Sequence, residues 1–142
     1  MFKRLTETML VAPQIDEAAV AKAAAQGVTL IINNRPDGEA ADQPLGADIA
    51  AAAQTAGVAY CAIPVTQAGF SMPQVAAMAD AIAGAEGRVL AYCRSGTRST
   101  HLWALSQAQA GANADELTEA AAGAGYDLTP LRAMLDMLKA SA

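Results

Sequence analysis

The stretch Arg88-Val89-Leu90-Ala91-Tyr92-Cys93-Arg94-Ser95-Gly96-Thr97-Arg98-Ser99 decides how the rest of the chain reads. RVLAY (88–92) is a continuous apolar run of strand length, and a helical pattern runs from Ser99 to Ala110, closed by Gly111. Cys93–Arg98 therefore joins a buried strand to a helix N-terminus. Such a junction holds orphan backbone N–H groups and the positive end of the helix dipole, and both favour a thiolate over a thiol. Gly96 permits a tight, left-handed turn that aims successive amides inward as an anion nest. Cys93 is thus the candidate nucleophile. Arg98 is its anion-clasping partner, with a planar guanidinium fork, and Arg94 adds a second guanidinium. Ser95, Gly96, Thr97 and Ser99 complete the candidate substrate-binding loop.

Outward from this segment, the same alternation repeats. Val28–Asn33 (VTLIIN) and Val58–Ile63 (VAYCAI) are further apolar runs, as expected of strands covered on both faces. Met9–Val11 reads as a short edge strand ended by Pro13. Asp16 caps a helix to Gln26, Asp48–Ala56 is the next, and Ser71 caps one with Pro73 in its first turn that runs to about Ala83. Asn113 and Thr129 cap two more, about Ala114–Ala122 and Pro130–Lys139. Strand–helix alternation with right-handed crossovers predicts an α/β fold, a small mainly parallel sheet flanked by helices, in one domain over 1–142. Three loops then converge at the C-terminal edge of the sheet: Asn33–Gly46, Val65–Ser71 and Cys93–Arg98.

Composition narrows the possibilities. Of the 142 residues, 54% are hydrophobic, but about half of those are alanine, while Leu, Ile, Val and Phe make up roughly a fifth of the chain. The core must be thin and its helices closely packed. The net charge of -5 argues against nucleic acid or an anionic membrane surface as partner. No apolar run reaches the length of a membrane span, and Thr6, Glu7 and Thr8 interrupt any signal-like segment, so a cytoplasmic protein is expected. Cys61 and Cys93 are too few for a disulfide scaffold and lack zinc-site spacing. The single His101 excludes a site built on several histidines, and no cofactor or metal is expected. The remaining chemistry rests on Cys, Arg, Asp and backbone amides.

At this point the sequence is similar to known families. CRSGTRS (93–99) resembles the active-site loop of rhodanese-like sulfurtransferases, in which Cys and Arg enclose four residues. More widely, NNRPDGE (33–39), QP (43–44), IPV (63–65), AYCRSGTRS (91–99), LWAL (102–105) and AGYDL (124–128) resemble the phosphatase-like domain family found alone or fused to beta-lactamase-like hydrolases in bacteria. The resemblance implies a fold like that of cysteine-dependent dual-specificity phosphatases. For members fused to a persulfide dioxygenase, it implies a rhodanese-type sulfur carrier, so a separate persulfide dioxygenase or a thiol acceptor is a candidate partner. A single histidine leaves no zinc-binding hydrolase within these 142 residues.

Two departures from the phosphatase pattern favour sulfur transfer. Phosphatases of this kind use Cys-x5-Arg, whereas Arg98 follows Cys93 after four residues and Ser99 stands where their arginine would be. They also need a general acid, usually an Asp after the preceding strand, and Val65-Thr66-Gln67-Ala68-Gly69-Phe70 contains no carboxylate. The expected function is a cysteine-dependent sulfurtransferase carrying sulfane sulfur as a persulfide on Cys93, with thiosulfate or a persulfide as anionic donor. The alternatives are a cysteine-dependent phosphatase acting on a phosphoprotein or small phosphate ester, and a non-catalytic anion-binding or redox-sensing module. Asp37 is the candidate displaced acid; otherwise Asp37 or Glu39 pairs with Arg35 or Arg98, or caps the loop turn. Cys61 reads as a small core residue, His101 as a surface or interface residue, and Tyr126 and Asp127 as a turn between helices.

Overall fold

A computed structural model describes residues 1–142. Five strands and six α-helices follow in the order β1 (Lys3–Arg4), β2 (Met9–Ala12), α1 (Glu17–Ala25), β3 (Val28–Asn33), α2 (Gly46–Ala56), β4 (Ala59–Ala62), α3 (Met72–Ala83), β5 (Arg88–Tyr92), α4 (Thr97–Gln109), α5 (Ala114–Gly123) and α6 (Arg132–Ala140). The strands form one sheet in the order β1-β2-β5-β3-β4, parallel except where β1 pairs antiparallel with β2. The fold is α/β, with a mostly parallel sheet between helices, as expected. The last strand in sequence occupies the centre of the sheet, so Cys93 leaves from the middle of its C-terminal edge.

Alternation along the strands builds two cores. Met9, Val11, Ile32, Val89 and Ala91 face one side, where they meet Val75 and Met78 of α3, Leu102, Trp103 and Leu105 of α4, and Leu135 of α6. Leu10, Ala12, Ile31, Leu90 and Tyr92 face the other, against α1 and α2. A buried methylene contributes about 0.8 kcal/mol and a buried Leu or Ile about 1.5–3 kcal/mol, and the large apolar residues of the strands and of the helices packed on them share that burial. Alanines such as Ala19, Ala23 and Ala53 in α1 and α2, and Ala104 and Ala108 in α4, are fully buried and let the helices approach closely.

Several boundaries differ from expectation. Met9–Ala12 is an interior strand, because the two-residue β1 adds outside it; Lys3 and Arg4 are exposed and have no apolar alternation to betray them. Conversely, Ala59–Ala62 is the opposite edge and not a doubly covered strand: Ala59 and Ala62 are exposed, and Cys61 is half-buried. β3 lies between β4 and β5, so Cys61 and Cys93 sit on non-adjacent strands and both thiols are free. Helix α4 starts at Thr97, which places Arg98 in its first turn. Thr129 opens a 3-10 turn (Thr129–Leu131) before α6, and Asp127 supplies the oxygen that accepts the Thr129 amide.

Candidate functional site

Tyr92 ends β5 and the chain turns at once into the Cys93 loop. Gly96 adopts φ +91°, the left-handed conformation its sequence position predicted, and caps α4. Its carbonyl accepts the Thr100 amide at 3.0 Å and the Thr100 hydroxyl at 2.8 Å, which ties the loop to the helix. The Gly96 amide points back and donates to Cys93 Sγ at 3.1 Å. The Cys93 side chain is buried, so the thiol lies beneath the surface of the site, held by a backbone donor at a helix N-terminus.

The three expected loops do converge. Arg98 Nη1 donates to the Val65 carbonyl at 2.8 Å and to Glu39 Oε2 at 2.7 Å, while Nη2 donates to Glu39 Oε1 at 2.8 Å. A fourth segment joins them. Gln14, just beyond β2, accepts Arg35 Nη1 at 3.1 Å and donates its amide to the Arg94 carbonyl. Arg35 is buried and its Nε donates to Glu39 Oε1 at 2.9 Å, so one carboxylate bridges two guanidiniums. Hydrogen bonds from Arg98, and then from Arg35, outweigh partial burial and hold the Glu39 carboxyl down at about 2. The Arg98 guanidinium is strengthened in turn, first by Glu39 and further by its proximity to Cys93.

Behind the loop, Asn34 stitches three strand ends together. Its amide donates to the Tyr92 carbonyl, its side-chain nitrogen to the Ile63 carbonyl at 2.9 Å, and its oxygen accepts the Ser99 hydroxyl at 2.8 Å. Ser99 and Asn34 are both fully buried. Ser99 was expected in the substrate-binding loop; its hydroxyl instead faces the interior and is spent on Asn34, because α4 begins two residues early and turns that face inward.

Asp37 makes a capping contact, the structural alternative expected for it, and not an acid's approach to Cys93. Its carboxylate accepts the Gly46 amide at 2.9 Å, capping the start of α2, and it lines a separate depression with Asn33, Tyr60 and Pro64. Glu39, not Asp37, reaches the Cys93 edge. There Glu39, Thr66, Gln67, Arg94 and Arg98, all polar or charged residues, line an open depression of about 380 Å³. Arg94 is exposed there. Ser95 and Thr97 hydrogen-bond each other, hydroxyl to hydroxyl at 3.0 Å. His101 bonds the Asp127 carbonyl through Nε2, which fixes the proton on that nitrogen, and its ring lies near Phe70.

Tyr126 is the residue that sequence reading missed. Its hydroxyl donates to the Ser95 carbonyl at 2.9 Å, directly on the Cys93 loop. The partner is a backbone atom, so no residue spacing announces it.

The family described as beta-lactamase hydrolase-like protein, phosphatase-like domain, has a model that matches residues 1–112. The chain belongs to this family. A beta-lactamase hydrolase-like protein of Xylella fastidiosa is 42% identical over 106 residues, which is 74% of this chain and 25% of that protein. The phosphatase-like domain thus spans about a quarter of the length of such curated relatives. A candidate phosphatase of Neisseria meningitidis, known from its crystal structure, superposes with a TM-score of 0.83 at 36% identity, over 96% of each chain. PTPMT1, solved in complex with PI(5)P, superposes with a TM-score of 0.73 at 15% identity, over 99% of this chain and 97% of its own, and shares the fold. The cysteine-phosphatase-like fold expected from the sequence is therefore the observed one. No helix is long and apolar enough to cross a membrane.

Proposed function

We propose that the phosphatase-like domain is a cysteine-dependent sulfurtransferase. The observation that carries this reading is the pair Arg98 and Ser99. The arginine comes one residue early for a phosphoryl cradle, and the residue at the phosphatase position is a buried serine bonded to Asn34. The Cys93 thiolate attacks the outer sulfur of thiosulfate or of a persulfide. An S–S bond forms as the donor's S–S bond breaks, and sulfite or a thiolate departs with the electron pair. The Gly96 amide, Arg98 and exposed Arg94 stabilise the anionic sulfur, and a thiophilic acceptor such as cyanide or a thiolate then removes it and regenerates Cys93.

Neither departing group needs a proton. That fits a site whose lining carboxylate, Glu39, is ionised at neutral pH and clamped between two arginines. The second reading, a phosphatase, is favoured by the fold shared with PTPMT1, which binds a phosphoinositide. In that reading Cys93 forms a phospho-intermediate and a small phosphate ester or phosphoprotein occupies the depression. Thiocyanate formation from thiosulfate and cyanide tests the first reading; vanadate-sensitive hydrolysis of an aryl phosphate tests the second. A cytoplasmic location and a separate dioxygenase or thiol acceptor as sulfur recipient belong to the first reading.

A further inference from the structure

The Ser95–Gly96 peptide is gripped from both sides. On one, its N–H donates to Cys93 Sγ at 3.1 Å; on the other, its carbonyl accepts the Tyr126 hydroxyl at 2.9 Å. The two groups belong to one planar amide, so the orientation of one fixes that of the other. A hydrogen bond to the carbonyl also polarises the amide and strengthens its N–H as a donor. Tyr126 itself is held in place, with Lys3 Nζ 5.6 Å from its ring centroid. Burial pushes its phenol above the ordinary value, so the hydroxyl remains a donor at neutral pH. Residue 96 has no side chain to spare: a Cβ there would land on the Tyr126 hydroxyl.

We propose that Tyr126 is a positioning residue for the nucleophile, holding the Ser95–Gly96 peptide so that its N–H stays on the Cys93 sulfur and favours the thiolate. Tyr126 lies in the turn after α5, beyond the 1–112 segment that the family model matches. The proposal rests on Cys93 being the nucleophile, as in both readings above, but not on which group it transfers.

The test is thiolate absorbance near 240 nm across pH, with the Cys93→Ser signal subtracted to remove Cys61. Tyr126→Phe keeps the ring and the Lys3 contact and removes only the hydroxyl. Its thiolate midpoint is expected to move up by about half to one pH unit. Leu131→Ala, which loosens the same segment but leaves the hydroxyl, is expected to lower the melting temperature with the midpoint unchanged. An unmoved midpoint in Tyr126→Phe, or an equal shift in Leu131→Ala, would overturn the proposal. Because the readout needs no turnover, absence of thiocyanate formation would count against the sulfurtransferase reading alone.

Discussion

Glu39 and Arg98, 59 positions apart in sequence, meet in a two-pronged ion pair of 2.7 and 2.8 Å at the mouth of the Cys93 site. Two of the guanidinium's donor nitrogens are thereby already committed when an anion arrives. An incoming donor must share Arg98 with an internal carboxylate or displace it, while Arg94 stands open to solvent. Glu39→Gln is expected to raise affinity for sulfate or thiosulfate about threefold to tenfold by calorimetry, because the site loses a competing negative charge. The same change should lower stability by about 1–2 kcal/mol, since Arg35 and Arg98 lose their shared partner in a half-buried setting. Weaker anion binding in Glu39→Gln would mean that the carboxylate orients Arg98 for its ligand and does not compete with it.

The Glu39 carboxyl lies near 4.5 in the unfolded chain and at about 2 in the folded one. A depressed folded value stabilises the native state fully above pH 4.5, and that contribution disappears as pH falls towards 2. Denaturant titrations of the wild type and Glu39→Gln should therefore differ by a constant amount above about pH 5. The difference should close between about pH 4.5 and 2. Parallel curves throughout that window would contradict the ion-pair assignment.

Ser99→Ala removes the only side-chain donor to the Asn34 oxygen, in a region with no exposure to water. The expected cost is about 1–3 kcal/mol in chemical denaturation. Thiosulfate turnover should fall with it, because Asn34 anchors the ends of β3, β4 and β5 behind the loop.

Gly96→Ala combines a left-handed φ with a methyl group aimed at the Tyr126 hydroxyl. It is expected to lose at least about tenfold in Cys93-dependent turnover, with a stability loss of about 1–3 kcal/mol. Wild-type turnover in Gly96→Ala would show that the loop does not need this geometry.

The strands and the Cys93 loop were legible because their signals are local. VTLIIN and RVLAY announce two-sided burial, and CRSGTRS places a cysteine, a glycine and an arginine at a strand–helix junction. VAYCAI carries the same apolar signature yet forms an edge, since strand order is set by long-range pairing that no local window contains. In NNRPDGE Asp37 alone was the candidate acid, while either Asp37 or Glu39 could pair with an arginine or cap the turn; only the path of the loop separates them, one carboxylate turning to the α2 amide and the other to Arg98. Tyr126 was illegible for a related reason. It meets the site through a backbone carbonyl, and any residue at position 95 would offer the same atom.

The most direct test of the central claim is intact-mass analysis of the protein after incubation with thiosulfate, paired with thiocyanate release on adding cyanide. The account predicts a gain of about 32 Da on Cys93, lost with cyanide as thiocyanate appears, and neither signal in Cys93→Ser. No added mass and no thiocyanate, together with vanadate-sensitive hydrolysis of an aryl phosphate that vanishes in Cys93→Ser, would contradict it.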